Sequence, residues 1–166
     1  MRTEALFFSL SLVCLGACAA GPKPEVTAAQ SVCAAAYGDP ALDPIRGRIP
    51  FADDAATKAA MSYLSDTGRP TAIERQALLQ LDSANRRCWD AWDRVGTSPH
   101  INQARVEVSS ALAQLYRGET SYGDYNRQRS EALARMQAAL QQEDELRRYG
   151  GGGGRFSIGF GMGFWR

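Results

Sequence analysis

From residue 71 to residue 95 the sequence holds a helical period without a break. Ile73, Ala77, Leu81, Ala84, Cys88, Trp92 and Val95 recur every three or four positions. That spacing lays one continuous apolar stripe along a helix. Thr71-Ala72-Ile73-Glu74 precedes it as a capping box. The Thr71 hydroxyl accepts from the Glu74 amide, and the Glu74 carboxylate reaches back to the Thr71 amide. A one-sided helix this long is stable only if other elements cover the stripe. The rest of the chain must supply the cover.

The flanking segments read as helices too. The first runs over 25–37, with Val26, Ala29, Cys33 and Ala36 at helical spacing, and Gly38-Asp39-Pro40 stops it. Residues 41–50 contain Pro44, Gly47 and Pro50 and read as irregular, with Leu42, Ile45 and Ile49 turned to the core. A short helix over 52–64 carries Ala56, Ala60, Met61 and Leu64 on one face, and Gly68-Arg69-Pro70 breaks it. After the Gly96-Thr97-Ser98-Pro99 turn, a helix over 101–117 buries Ile101, Ala104, Val108, Ala111, Leu112 and Leu115. Gly118 suits its left-handed cap. The last helix, over 122–149, opens with Ser121 and Asp124 in capping-box register. Its stripe is Tyr122, Tyr125, Ala132, Leu133, Met136, Ala139, Leu140 and Leu146. Its mostly polar last third is expected to project. No strand pattern precedes residue 155. The expected fold is an all-α small bundle of four main helices plus one short helix.

The leader has its own signature. Ala5 to Ala17 is an apolar run of 13 residues, too short for a membrane-spanning helix, which needs ~20. It reads as the core of a secretory signal. Leu15-Gly16-Ala17-Cys18 at its end resembles the lipobox of bacterial lipoproteins at all four positions. The resemblance implies that Cys18 carries lipid and that the chain is cut before it. Ala19, where such proteins are held at the inner membrane by Asp, implies the periplasmic face of the outer membrane. Ordinary secretion, with cleavage near Ala19 or Ala20, is the alternative. The domain map is then signal peptide 1–17, lipidated N-terminus and tether 18–24, helical domain 25–149, and tail 150–166.

Cys14 leaves with the signal and Cys18 carries lipid, so Cys33 and Cys88 remain as an even pair in an oxidising space. A disulfide between them is expected to staple the first helix to the 72–95 helix. Two free thiols, or a Cys-Cys-His site with His100, are the alternatives. Two further stretches, Leu42 to Pro50 and Leu115 to Asn126 with Arg129, resemble segments of small exported helical proteins of proteobacteria, mostly uncharacterised in activity. The resemblance brings no active site with it. From the residues alone, the second stretch is a helix–turn–helix joint, with tyrosines packing over it.

The tail alternates. Five glycines, Gly150 to Gly154, lead into Phe156, Ile158, Phe160, Met162 and Phe164, which alternate with Ser157 and glycines before Trp165 and Arg166. That is the period of a one-faced strand. It resembles in part the last strand of outer-membrane barrels. A single strand is unstable alone in water, so three readings stand: disorder, strand addition to a partner, and contact with a membrane surface. Phe156, Ile158, Phe160, Met162, Phe164 and Trp165 are the candidate partner-binding residues.

The charges exclude a general nucleic-acid binder. Lys and Arg number 19 against 18 Asp and Glu, a net charge of +1, without the basic excess that neutralises phosphates. No nucleophile elbow, phosphate loop, HExxH or dinucleotide turn occurs, and no cofactor is expected. The lone His100 reads as a helix-start residue without an orienting carboxylate. Asp90 and Asp93 read as solvated. Arg86, Arg87, Arg127, Arg129, Arg147 and Arg148 read as a salt-bridged surface. The expected function is a non-enzymatic envelope lipoprotein, acting as scaffold, assembly or accessory factor through the helical body and tail. The alternative is a periplasmic binding module for an apolar or peptide ligand, with a pocket lined by Trp89 or by Tyr122 and Tyr125.

Overall fold

The computed structural model describes residues 23–51 and 61–149. Every regular element among them is helical. α1 spans Pro24–Tyr37, a 3-10 turn spans Pro40–Leu42, and α2 spans Asp43–Arg46. α3 is Met61–Leu64, α4 Ala72–Asp93, α5 Pro99–Arg117 and α6 Tyr122–Tyr149. The described residues form an all-α bundle of four main helices, with Cys33 bonded to Cys88. No helix among the described residues is long and apolar enough to cross a membrane.

Local sequence sets the helix ends. The Thr71 hydroxyl accepts from the Glu74 amide at 3.3 Å, and a Glu74 carboxylate oxygen accepts from the Thr71 amide at 2.8 Å. Both halves of the capping box are therefore present. α5 starts at Pro99, with the Ser98 hydroxyl accepting from the His100 amide. It ends at Gly118, whose φ of 71° is the left-handed region. There the Gly118 amide donates to Leu115 and the Glu119 amide to Gln114, a Schellman closure. At the start of α6 the Asp124 amide donates to the Ser121 hydroxyl and the Ser121 amide to the Asp124 carboxylate.

Packing pairs the helices. α1 runs antiparallel to α4, fixed by the disulfide and by the Tyr37 hydroxyl, which donates to Asn85 at 3.0 Å. α5 runs antiparallel to α6, with Arg135 on Glu107 at 2.6 Å and His100 on Glu143 at 3.3 Å. The core gathers Leu42, Ile45, Ile49 and Phe51 over Leu78, Leu81, Leu112, Leu115, Tyr122 and Tyr125. The segment over 41–50 does cover the core, but as a 3-10 turn followed by α2 rather than as irregular chain.

The details shift four expectations. Ile73 is 71% exposed, while Glu74 and Leu78 are buried. At 100° per residue, Glu74 lies about 20° around the helix from Leu81 and Ile73 about 80° away, so the buried arc passes through Glu74. Met61 is also exposed. The remainder of the short helix over 52–64, residues 52–60, lies outside the described residues. α4 ends at Asp93, leaving Val95 in the turn, and α5 begins at Pro99. Leu146 on the α6 stripe is exposed, because α6 has 28 residues and α5 only 19, so the stripe outruns its cover.

Candidate functional site

The densest polar cluster sits where the starts of α4 and α6 meet the end of α5. It joins the two sequence stretches that resemble segments of exported helical proteins. The cluster is built on Arg48. Its Nε lies 2.9 Å from Glu74 Oε1, and its Nη1 lies 3.3 Å from Asp66 Oδ2. The guanidinium also stands over the Tyr122 ring, 5.0 Å from its centroid, in cation–π position. Asp66 is itself held, its other oxygen accepting from the Gly68 amide at 2.7 Å.

Backbone fills in the rest of the joint. The Tyr122 amide donates to Gly68 and the Gly123 amide to Asp66. These are α6's first amides, which no intrahelical carbonyl can reach. Asn126, one turn on, donates through Nδ2 to the carbonyls of Arg48 (2.8 Å) and Tyr63 (3.0 Å). Arg129 donates to Pro50 at 2.9 Å, and Arg127 to the Leu64 carbonyl. Arg46 closes the far side: it donates to the carbonyls of Tyr37 and Asp39 and stands over Phe51.

Two atoms in the joint stay unsatisfied. The Tyr122 hydroxyl and Asn126 Oδ1 are buried with no hydrogen-bond partner. Burial holds the Tyr122 phenol well above its ordinary value, Glu74 adds to the rise and Arg48 opposes it. Burial likewise raises Tyr125 against the pull of Arg129. Tyr37 is pushed up to about 12 by burial, again opposed by Arg129. All three phenols therefore stay neutral across the physiological range. The joint's chemistry is that of a clamp. The guanidinium is spent on two carboxylates and a ring, and Asn126 spends both donors on carbonyls.

Only the bonded pair among the expected site residues comes together. Cys33 and Cys88 are linked, with Cα atoms 4.6 Å apart, which removes the free-thiol and Cys-Cys-His alternatives. Cys18 and the candidate partner-binding residues Phe156, Ile158, Phe160, Met162, Phe164 and Trp165 lie outside the described residues. His100 differs from its reading: Glu143 supplies a carboxylate 3.3 Å from Nε2. The two are 43 positions apart, and only the antiparallel register of α5 and α6 joins them. His100 also lines a groove of about 180 Å³ together with Gln103, Ala104, Met136 and Ala139.

Asp93 is not simply solvated either. It pairs with Arg105 at 2.7 Å, and Arg105 stands over the ring of half-buried Trp89. Arg86 pairs with Asp82, Arg148 with Asp144, and Arg127 with Asp124. Residue-by-residue reading missed Arg48 and Asp66. The one available signal was Glu74, an acid on the buried arc of a long amphipathic helix, which needs a cation partner. No family model matches the chain, and no curated protein or solved structure is significantly similar to it.

Proposed function

We propose that this chain is a lipid-anchored envelope protein of the periplasmic side, working as a non-enzymatic scaffold, assembly or accessory factor. Cys18 is the lipid attachment site, and residues 156–165 contact a partner in the envelope. The observation that carries the reading is the lipobox Leu15-Gly16-Ala17-Cys18, set just ahead of a helix whose Cys33 is bridged to Cys88. Such a bridge persists in oxidising compartments and is rare in the cytosol. A clamp whose donors are used internally fits a body that holds shape, which is what a scaffold requires.

A ligand-binding module would open a pocket beside Trp89 or beside Tyr122 and Tyr125. Both tyrosines are packed into the core, and Trp89 lies under Arg105. That reading gains nothing from them. The test is intact mass and membrane fractionation of the chain expressed in a Gram-negative host, beside Cys18→Ser. The expected result is an acylated product starting at Cys18 and found in the outer membrane, with both features lost in the variant. A soluble, unacylated product cut after Ala19 or Ala20 would overturn the anchored reading.

A further inference from the structure

α6 is rooted in the core at one end only. Its buried residues are Tyr122, Gly123, Tyr125, Asn126 and Ala132, so residues 133–149 have no side chain sealed in the core. Met136, Ala139 and Leu140 are half-buried. Buried apolar area is what holds a helix to its neighbour, and this half of α6 has little of it. Among the described residues, two ion pairs tie α6 to α5. Arg135 meets Glu107 at 2.6 Å, and Glu143 meets His100 Nε2 at 3.3 Å. His100 is the second residue of α5, so its pair is the last tie before α6 outruns that helix.

The two ties respond differently to acid. Hydrogen bonds from Arg135 and Gln103 hold the Glu107 carboxyl below its ordinary range, so that tie keeps both charges through mild acid. His100 is the chain's one histidine, and imidazole is the side chain that changes charge between about pH 5 and 8. A neutral ring offers Glu143 one N–H at most, whereas a protonated ring offers a full charge. The other charges near it are already engaged. Arg135 and Glu107 line the same groove as His100 and pair with each other, with Glu131 3.8 Å from Arg135. Asp144, next to Glu143, is held by Arg148, and toward α4 Arg105 is held by Asp93. The positive start of α5 opposes a charge on His100. It does so whether or not α6 lies alongside, so it cancels from the balance between held and lifted α6.

We propose that His100 and Glu143 form a pH-operated latch, holding the end of α6 against α5 more tightly in mild acid than at neutral pH. Glu143 stabilises the imidazolium only while α6 lies alongside, so by linkage protonation favours the held state. Toward neutral pH the last turns of α6 lift more often, and Met136, Ala139 and Leu140 become available to a partner. The latch belongs to the helical body and does not depend on an anchor at Cys18.

The pair is 40% and 35% exposed, so the effect is a few-fold rather than all-or-none. Hydrogen exchange of the full chain, read by mass spectrometry at about pH 5.5 and about pH 7.5 and corrected for the intrinsic rate, follows the lifting of α6. Peptides over 137–149 should be roughly two- to four-fold better protected at the lower pH. His100→Gln and Glu143→Gln should each remove that difference. No difference in wild type, or the same difference in wild type and variants, overturns the latch. The single histidine gives a second reading by NMR titration of its ring. Glu143→Gln should weaken proton binding at His100 by a similar few-fold factor, and identical titration of the two chains overturns the pairing. This reading leaves His100 in place, so it stands even where His100→Gln disturbs the start of α5.

Discussion

Arg48 meets two carboxylates and an aromatic face at once, and Glu74 is the more enclosed partner, its side chain 10% exposed against 39% for Arg48. Removing the guanidinium leaves a nearly buried carboxylate without its counter-ion. Arg48→Met keeps the apolar stem over Tyr122 and should cost roughly 2 kcal/mol, since a partly exposed pair is worth less than the 3–5 kcal/mol of a fully buried one. Adding Glu74→Gln to it should recover part of the loss. Urea denaturation of the two single variants and the double variant gives the coupling, and strict additivity would sink the clamp. Asn126→Ala should cost about 2 kcal/mol by the same assay, because it strands the carbonyls of Arg48 and Tyr63 in the interior. None of these partners was legible beforehand. Arg48 and Glu74 stand 26 positions apart, Arg48 and Asn126 78, and side-chain type alone does not say which distant carboxylate an arginine will find.

Helix existence was legible because capping and periodicity are local. The Thr71–Glu74 box, the Gly118 cap and the Ser121–Asp124 pair were each read from four or five neighbouring residues, and each forms its hydrogen bonds. Ile73 shows the limit, because a stripe drawn in steps of three and four is a broad arc. Which edge of that arc is buried depends on what lies against it, here Arg48 and α2. Gly123 makes a sharper case. In an ordinary helix, Gly→Ala stabilises by about 1 kcal/mol. At Gly123 an added Cβ would meet backbone, 2.6 Å from the Leu64 oxygen and 2.9 Å from that of Asp66. Gly123→Ala should therefore destabilise, by about 2 kcal/mol, since backbone on that side must move. Gly118→Ala should cost about 1 kcal/mol through its left-handed φ alone, as only the end of Arg75 lies nearby. Thermal melts that ranked Gly118→Ala as the worse would contradict this account of the joint.

Across the whole molecule, the disulfide and the buried phenols set the response to conditions. Cys33 and Cys88 close a loop of 55 residues, worth about 4 kcal/mol in the chain-entropy account. Cys33→Ser/Cys88→Ser, or reduction, should lower stability by about that amount while leaving helix content nearly unchanged in buffer. Denaturant melts followed by circular dichroism check both. At high pH the phenols act together. Tyr37, Tyr122 and Tyr125 each have a folded pKa raised above the value near 10 of the unfolded chain. Their stabilisation is complete below pH 10 and is lost as pH climbs, through about 12 for Tyr37. Tyrosinate absorbance from these three phenols should thus appear only well above pH 10, coinciding with loss of helix. Ionisation of these three near pH 10 with helix intact would show the phenols to be open to water.

By itself the sequence determined the helical class and the capping residues at Thr71, Gly118 and Ser121, because each depends on neighbours within a turn or on composition. Tertiary structure alone decided that Arg48 would join Asp66, Glu74 and Tyr122, and that His100 would find Glu143. Those outcomes follow from antiparallel register between distant helices. Register is settled by the packing of all the buried faces together, a sum over the whole core that no local stretch contains.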